Sequence, residues 1–323
     1  MDTLGIYQIL RDKNKRRKYG FIVPGMGRWD PVSKKLNDTF YDFICGKIQN
    51  KIKENDKILV IGLAESGLIA GYLVHKNLTQ KYKNVSLALS SRESEYIEQK
   101  DENIFVFTED HVTEQHPKHF LNIENIPLNY SQIIIIDDEM TTGITVMKLI
   151  KQIQHLTNNI WVFCYADVRE DKFSKIDSEK NIEIHNMMKS NQLTDVNKDC
   201  VKIFNYSPEI LLFKKNYNKV CYIFGECVKE CLKDNYDNEN SLIRIITHIN
   251  WKKAHIIKDL IELGSDLNGK THRYYNPVLP KDNEEHCFYY YPWQQPLVDN
   301  LIEWLKEKGK KIIIKKKIIE NIW

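Results

Sequence analysis

Apolar residues in the middle of the chain fall into short blocks, and two different spacings alternate there. Lys57–Gly62 (KILVIG) is a brief apolar run, and Ser66–His75 behind it has apolar positions at helical spacing. Apolar residues three and four apart share one helix face, while a short apolar run bounded by turn residues reads as a buried strand. The pattern predicts strand, turn, helix. Val85–Ser90 and Ile104–Thr108 are predicted as further strands. Gln132–Ile136 is β-branched after its first residue, the composition of a strand covered on both faces. Thr145–His155 is predicted as a helix and Ile160–Asp167 as a strand. Strands alternating with helices predict an α/β fold, with a doubly wound, mostly parallel sheet over residues 51–178.

The flanks read differently. Residues 1–50 are basic at Arg11–Lys18 and turn-rich around Pro24–Gly27. Beyond Asp171 the alternation fades, and residues 179–218 are mixed. Lys219–Leu263 holds two helix-like stretches, and His272–Pro296 is rich in aromatics and prolines. Leu297–Lys308 is predicted as a helix. Ile312–Ile314 is predicted as a strand whose neighbouring lysines stay in solvent. The expected division is an N-terminal segment, 1–50, a core, 51–178, and an extra C-terminal α+β region, 179–323, available to a protein partner. No repeat at solenoid spacing is visible.

Composition narrows the classes. The 323 residues allow one large domain or two ordinary ones, and a hydrophobic fraction of 42% is enough for a packed core. The net charge of +3 is too small for a nucleic-acid footprint, because Lys, Asn and Ile recur throughout rather than cluster. Met1–Leu10 is too polar for a signal peptide, and no apolar run reaches the roughly 18 residues of a membrane span. The seven cysteines are odd in number and none has C-x-x-C spacing, which points to free thiols in a reducing, cytoplasmic setting. Cys227 and Cys231 lie one helical turn apart near Cys221 and read as packing.

The candidate chemistry centres on Ile133–Thr145, IIIIDDEMTTGIT. The apolar strand delivers Asp137 and Asp138 to its carboxyl end, where open α/β sheets bind ligands. Two neighbouring carboxylates can accept hydrogen bonds from the vicinal hydroxyls of a ribose. Thr141, Thr142, Gly143, Ile144 and Thr145 then open a helix. Small and hydroxylated residues with one glycine let backbone N–H groups converge on a phosphate at a helix N-terminus. Diol acceptors followed by a phosphate cradle match the two ends of ribose 5-phosphate.

Three further segments carry supporting signals. Ala64, Glu65, Ser66 and Gly67 lie between a strand and a helix, placed to receive a second phosphate group on backbone amides. Arg92, at the end of the next strand, suits bidentate pairing with pyrophosphate. Phe107–His119 (FTEDHVTEQHPKH) has three histidines and three acids in thirteen residues, too polar to form core. It is predicted as a lid, with Glu109, His111 and His116 as candidates for moving a proton. The histidine spacing alone also fits a metal, but no H-E-x-x-H helix accompanies it.

The central stretch resembles the signature of type I phosphoribosyltransferases: apolar strand, two acids, two spacers, then a Thr-Thr-Gly-x-Thr-like loop. Gly20–Pro31 (GFIVPGMGRWDP), the Leu63–Gly67 loop, Ser90–Glu93, the histidine-rich stretch and Asp137–Thr145 occur in an order similar to one orotate-type branch. That branch is encoded in bacterial tellurium-resistance and stress-associated gene clusters, and the likeness covers about residues 11–170. The resemblance implies that Asp137 and Asp138 hold the ribose hydroxyls of phosphoribosyl pyrophosphate (PRPP). It also implies that Thr141–Thr145 hold its 5-phosphate, Ala64–Gly67 and Arg92 its pyrophosphate, and that Arg28 touches substrate. It further implies Mg2+ carried by PRPP near the two acids rather than by a protein cage, a small-molecule base as acceptor, and a homodimer. Members acting on 6-oxopurines usually carry Asp at the position of Thr141, so this chain departs from them. The T-R-S-P-type segment common in the branch is missing from the C-terminal third. A PRPP- or nucleotide-sensing regulator and a nucleotide-depleting conflict-system effector are the alternatives the resemblance leaves open.

Overall fold

The computed structural model describes residues 5–10, 19–93, 103–108, 118–123, 129–169, 181–189, 200–205, 216–251, 257–267, 269–309 and 311–320. The chain forms two compact units, residues 36–195 and residues 1–35 together with 196–323. In chain order the first elements are β1 (Gly5–Leu10), β2 (Tyr19–Ile22), α1 (Lys34–Ile48), β3 (Lys57–Gly62), α2 (Gly67–Leu78) and β4 (Asn84–Ser91). They are followed by β5 (Ile104–Phe107), β6 (His119–Asn122), β7 (Gln132–Met140), α3 (Ile144–Ile153), β8 (Ile160–Asp167) and β9 (Ile182–Lys189).

Unit 36–195 is built on a seven-stranded sheet in the order β5-β6-β4-β3-β7-β8-β9. Neighbours from β4 to β9 run parallel, and β6 is antiparallel to β4 and β5. Side chains alternate across a strand. Leu59, Ile61, Ile133, Ile135, Val162 and Cys164 therefore meet Val146, Leu149, Ile150 and Ile153 of α3 in one core cluster. The other parity of β8 faces α1, where Tyr165 stacks on Phe40 at 3.9 Å and Phe163 meets Phe43 edge-on at 6.2 Å. The β-branched run of β7 is buried throughout, as its composition predicts.

The other unit contains β10 (Cys200–Asn205), β11 (Lys219–Phe224), α4 (Val228–Asn235), β12 (Ser241–Ile246) and β13 (Leu260–Ser265). It continues with β14 (Thr271–Tyr275), β15 (Glu284–Tyr290), α5 (Gln295–Lys308) and β16 (Ile312–Ile318). β12-β11-β15-β16 is a parallel sheet, β10-β1-β2 is antiparallel, and β13 pairs with β14. Residues 1–35 thus fold with the C-terminal third, because β1 takes β10 as a partner across nearly two hundred positions of sequence.

One local expectation changes here. Among the described residues of Lys219–Leu263 there is one helix, α4, between strands. The stretch Ser241–Ile246 (SLIRII) is a strand buried at every position, Arg244 included, and so short a stretch carries too little period to separate helix from strand. The aromatics of Phe288–Trp293 are core, the plainest reading of an aromatic cluster. Phe288 and Tyr290 are fully buried on an interior strand, Phe288 stacks on Tyr222 at 5.1 Å, and Tyr291 on Trp293 at 4.6 Å. Lys315–Lys317 are exposed on β16, as the sequence suggests.

Candidate active site

The chain leaves β3 in one direction, to β4, and returns to the opposite side of β3 as β7. This reversal of winding is a topological switch point, and ligands of open α/β sheets bind beyond the carboxyl ends of the strands there. β3 pairs with β7 only as far as Gly62 opposite Ile136. The Leu63 N–H closes that pairing by donating to the Ile136 carbonyl at 3.0 Å. β7 runs on for four more residues against β8, with Asp137 opposite Cys164, Glu139 opposite Ala166 and Met140 opposite Asp167. The sequence pattern ends this strand at Ile136. The structure extends it, because β8 still offers a partner after the apolar run stops.

Asp137 and Asp138 therefore stand on a strand end with a neighbour on one side only. Asp138 is buried, and its backbone N–H donates to Asp137 Oδ1 at 2.9 Å. Adjacent strand residues face opposite ways. Asp137 Oδ1 lies 3.4 Å from where a Cβ on Gly67, the first residue of α2, would sit. Burial first, and then the charge of Asp138, push the Asp137 carboxyl well above its ordinary value of 3.8. The folded chain then binds this proton more tightly than the unfolded chain. Stability attached to Asp137 is largest below the ordinary value and falls as pH rises toward the folded one. The variant Asp137→Asn is expected to melt higher than the parent at pH 7–8, with the gap closing toward pH 4. Thermal melts across that range check the sign, and a variant that melts lower at pH 7–8 contradicts it.

The turn after β7 is shaped as a cradle. Gly143 takes φ of +77° as the residue before α3, a left-handed conformation that other residues adopt at a cost. Thr142 Oγ1 accepts the Ile144 N–H at 3.3 Å, and Thr141, Thr142, Ile144 and Thr145 are all partly exposed at the start of α3. Backbone N–H groups of a first helical turn have no intrahelical acceptor, so the cradle is suited to an anion.

The loop after β3 packs against the same strand end. A Cβ on Gly67 would lie 2.8 Å from the Ile136 carbonyl oxygen and 3.1 Å from the Asp137 Cα, so only glycine allows this approach. The Ala64–Glu65 peptide is cis. The Ala64 N–H donates to Ser90 Oγ at 2.8 Å, and Ser66 Oγ is buried with no hydrogen-bond partner. Arg92 Nη2 donates to Glu65 Oε2 at 3.1 Å, with both side chains buried. The arginine read as a pyrophosphate ligand thus stands beside the loop with its charge matched by Glu65.

Of the remaining sequence candidates, one lies in the other unit and three lie outside the described residues. Arg28 belongs to the unit containing residues 1–35, where its carbonyl accepts Arg244 Nη2 at 3.4 Å. Glu109, His111 and His116 lie outside the described residues. His119, counted with the lid in sequence, is a buried member of β6, 1% exposed and stacked on Phe107 at 4.9 Å. Pairing of β6 with β5 and β4 places it in the sheet.

Two arrangements here escape the sequence pattern. At the end of β8, Arg169 Nε and Nη2 donate to Asp167 Oδ1 and Oδ2 at 2.9 and 2.8 Å, a buried fork beside the acidic end of β7. Burial first, then Asp167 and Asp137, push the Cys164 thiol upward. Lys148 Nζ of α3 donates to Thr108 Oγ1 at 2.8 Å. The only sequence signal for the fork is the Asp-x-Arg spacing after an apolar strand.

A family model described as phosphoribosyl transferase matches residues 7–191. Among solved structures, the chain is similar to an adenine phosphoribosyltransferase from Saccharomyces cerevisiae complexed with an imino-altritol bisphosphate and adenine. The identity is 17%, covering 57% of this chain and 94% of that one, with a TM-score of 0.38. It is similar to adenine phosphoribosyltransferase from Rhodothermus marinus at 12% identity, covering 58% and 94% of the two chains, with a TM-score of 0.41. The enzyme from Leishmania tarentolae is 14% identical, covering 51% of this chain and 76% of that one, with a TM-score of 0.36. No curated protein matches.

Proposed function

The chain belongs to the phosphoribosyl transferase family, whose model spans more than half of it, and from that premise we propose that it transfers the ribose 5-phosphate of PRPP to a nitrogenous base. One observation carries the reading: at the switch point, an acidic strand end runs directly into a phosphate cradle. In this reading Asp137 and Asp138 accept hydrogen bonds from the ribose hydroxyls, and the start of α3 takes the 5-phosphate on backbone amides and threonine hydroxyls. The pyrophosphate lies along Ala64–Gly67, where the buried Ser66 hydroxyl supplies an unused polar group.

The residues fit Mg2+ carried by substrate. One or two carboxylates beside phosphate and hydroxyl oxygens are the usual setting for this ion. When bound, Mg2+ neutralises charge on the departing pyrophosphate. The chain's own residues orient the sugar so that the base nitrogen forms its bond to C1 while the bond from C1 to the pyrophosphate oxygen breaks. The electron pair of that bond leaves with pyrophosphate, and a proton on the incoming nitrogen must go to a base.

Thr141 cannot take that proton, because its hydroxyl ionises far above neutrality. His111 and His116, with Glu109, are the proposed acceptors. An acceptor that is already anionic needs none of them. The order of the motifs supports a member of the stress-associated branch. The test is a panel of bases with PRPP and Mg2+, followed by pyrophosphate release. Hypoxanthine and guanine are expected to be poor acceptors, and His111→Ala and His116→Ala are expected to slow a neutral one by about 100-fold. Efficient turnover of either oxopurine, unchanged in both variants, contradicts the proton-transfer assignment.

A further inference from the structure

A chain of side chains runs from the loop after β3 into the sheet, and the chemistry above makes no use of it. The Ala64 N–H donates to Ser90 Oγ at 2.8 Å. Ser90 Oγ lies 3.3 Å from His119 Nδ1. Ser90 and His119 are each 1% exposed. A serine hydroxyl that accepts one hydrogen bond still has its own proton to give. Donating it to His119 Nδ1 satisfies both groups, with Nδ1 as the unprotonated ring nitrogen. In that arrangement the Ala64 N–H donates to Ser90, and the Ser90 O–H donates to His119.

The histidine is fixed independently of the loop. Its ring lies nearly parallel to Phe107, at 17° and 4.9 Å. β6 is paired on both sides, with Phe107 opposite His119 on β5, and Ser90 opposite Leu121 on β4. An apolar ring would pack against Phe107 equally well. A buried imidazole beside a buried hydroxyl is favourable only while both are hydrogen-bonded.

We propose that Ser90 and His119 are positioning residues of the pyrophosphate subsite. They hold the Ala64 amide turned into the sheet and so set the path of Glu65, Ser66 and Gly67, which present the loop to the leaving group. This role rests on the reading of that loop as the pyrophosphate site. The sugar end of PRPP is held by other elements, so the two ends respond differently. Loss of the relay weakens PRPP and pyrophosphate and spares ribose 5-phosphate.

The experiment titrates PRPP, pyrophosphate and ribose 5-phosphate, each with Mg2+, into the full chain and three variants. It also follows amide exchange of the loop peptide containing Ala64. His119→Phe keeps the stack on Phe107 and removes the acceptor. Ser90→Ala removes the hydroxyl. His119→Asn keeps an acceptor close to the Nδ1 position. His119→Phe and Ser90→Ala are expected to bind PRPP and pyrophosphate about tenfold to 100-fold more weakly, the span of one lost buried hydrogen bond and its unpaired partner. Their ribose 5-phosphate affinity stays at the parent level and their loop amides exchange faster. His119→Asn is expected to restore both readouts. Equal affinities and unchanged exchange in all three variants overturn the positioning role alone. Equal losses for ribose 5-phosphate also overturn it, since that outcome marks general damage. A parent chain that binds none of the three ligands overturns the functional reading and this role with it.

Discussion

Replacing both acids, Asp137→Asn with Asp138→Asn, is expected to weaken PRPP binding about 100-fold or more while leaving the fold intact. Each acid is assigned a charge-assisted hydrogen bond to a ribose hydroxyl, worth roughly 1.5–3 kcal/mol. Two lost together come to roughly 3 kcal/mol or more, and each 1.4 kcal/mol is about tenfold in affinity. The structure supplies the reason for stability to move the other way. Asp137 is held above its ordinary ionisation range by burial and by Asp138, so neutralising it removes a penalty at neutral pH. Calorimetric titration with PRPP and Mg2+, paired with a thermal melt, reads both effects. Undiminished affinity contradicts the site assignment, and a collapsed melt shows that the acids serve the fold.

The substitution Gly67→Ala is expected to damage the site from the opposite wall. The new Cβ would lie 2.8 Å from the Ile136 carbonyl oxygen and 3.1 Å from the Asp137 Cα. Both are backbone atoms of β7, a strand paired along its apolar run on both sides. Neither can give way as a flexible side chain would, so the loop after β3 must move off the acidic strand end. Overpacking of this kind costs about 1–3 kcal/mol. Both the melting temperature and PRPP affinity should fall. Ribose 5-phosphate is expected to lose less, because its cradle at α3 is one element further on. A Gly67→Ala chain with parental melting and affinity shows that the two loops do not share a wall.

The central unit was legible because its strands are apolar runs of the right length. Lys57–Gly62 and Ile160–Asp167 match β3 and β8 at both ends. α5 begins two residues ahead of the predicted Leu297–Lys308 helix and ends with it. The centre of the candidate site was legible for a different reason: two acids and a hydroxyl-rich turn sit directly behind the most apolar strand, and local order alone brings them together.

What escaped the sequence depends on distant partners. β7 continues through Asp137 and Asp138 because β8 extends alongside it, and no local propensity favours a strand of acids. β1 and β10 form an antiparallel pair nearly two hundred positions apart in sequence, so neither announces itself alone. The helix α1 is half polar on its outer face, and its apolar stripe of Leu36, Phe40, Ile44 and Ile48 was hidden behind a basic, turn-rich approach. His119 was grouped with the polar stretch before it by composition, whereas its pairing in β6 makes it interior. Arg92 has the chemistry of an anion ligand in sequence, and only the structure reveals that Glu65 stands against it.

The most direct test of the central claim is a crystal structure of the chain soaked with PRPP and Mg2+. The account predicts the 5-phosphate at Thr141–Thr145 on the N-terminus of α3, the ribose hydroxyls on Asp137 and Asp138, and the pyrophosphate along Ala64–Gly67. Density for PRPP in the reverse orientation, with pyrophosphate on α3, or bound away from the crevice between β3 and β7, would contradict it.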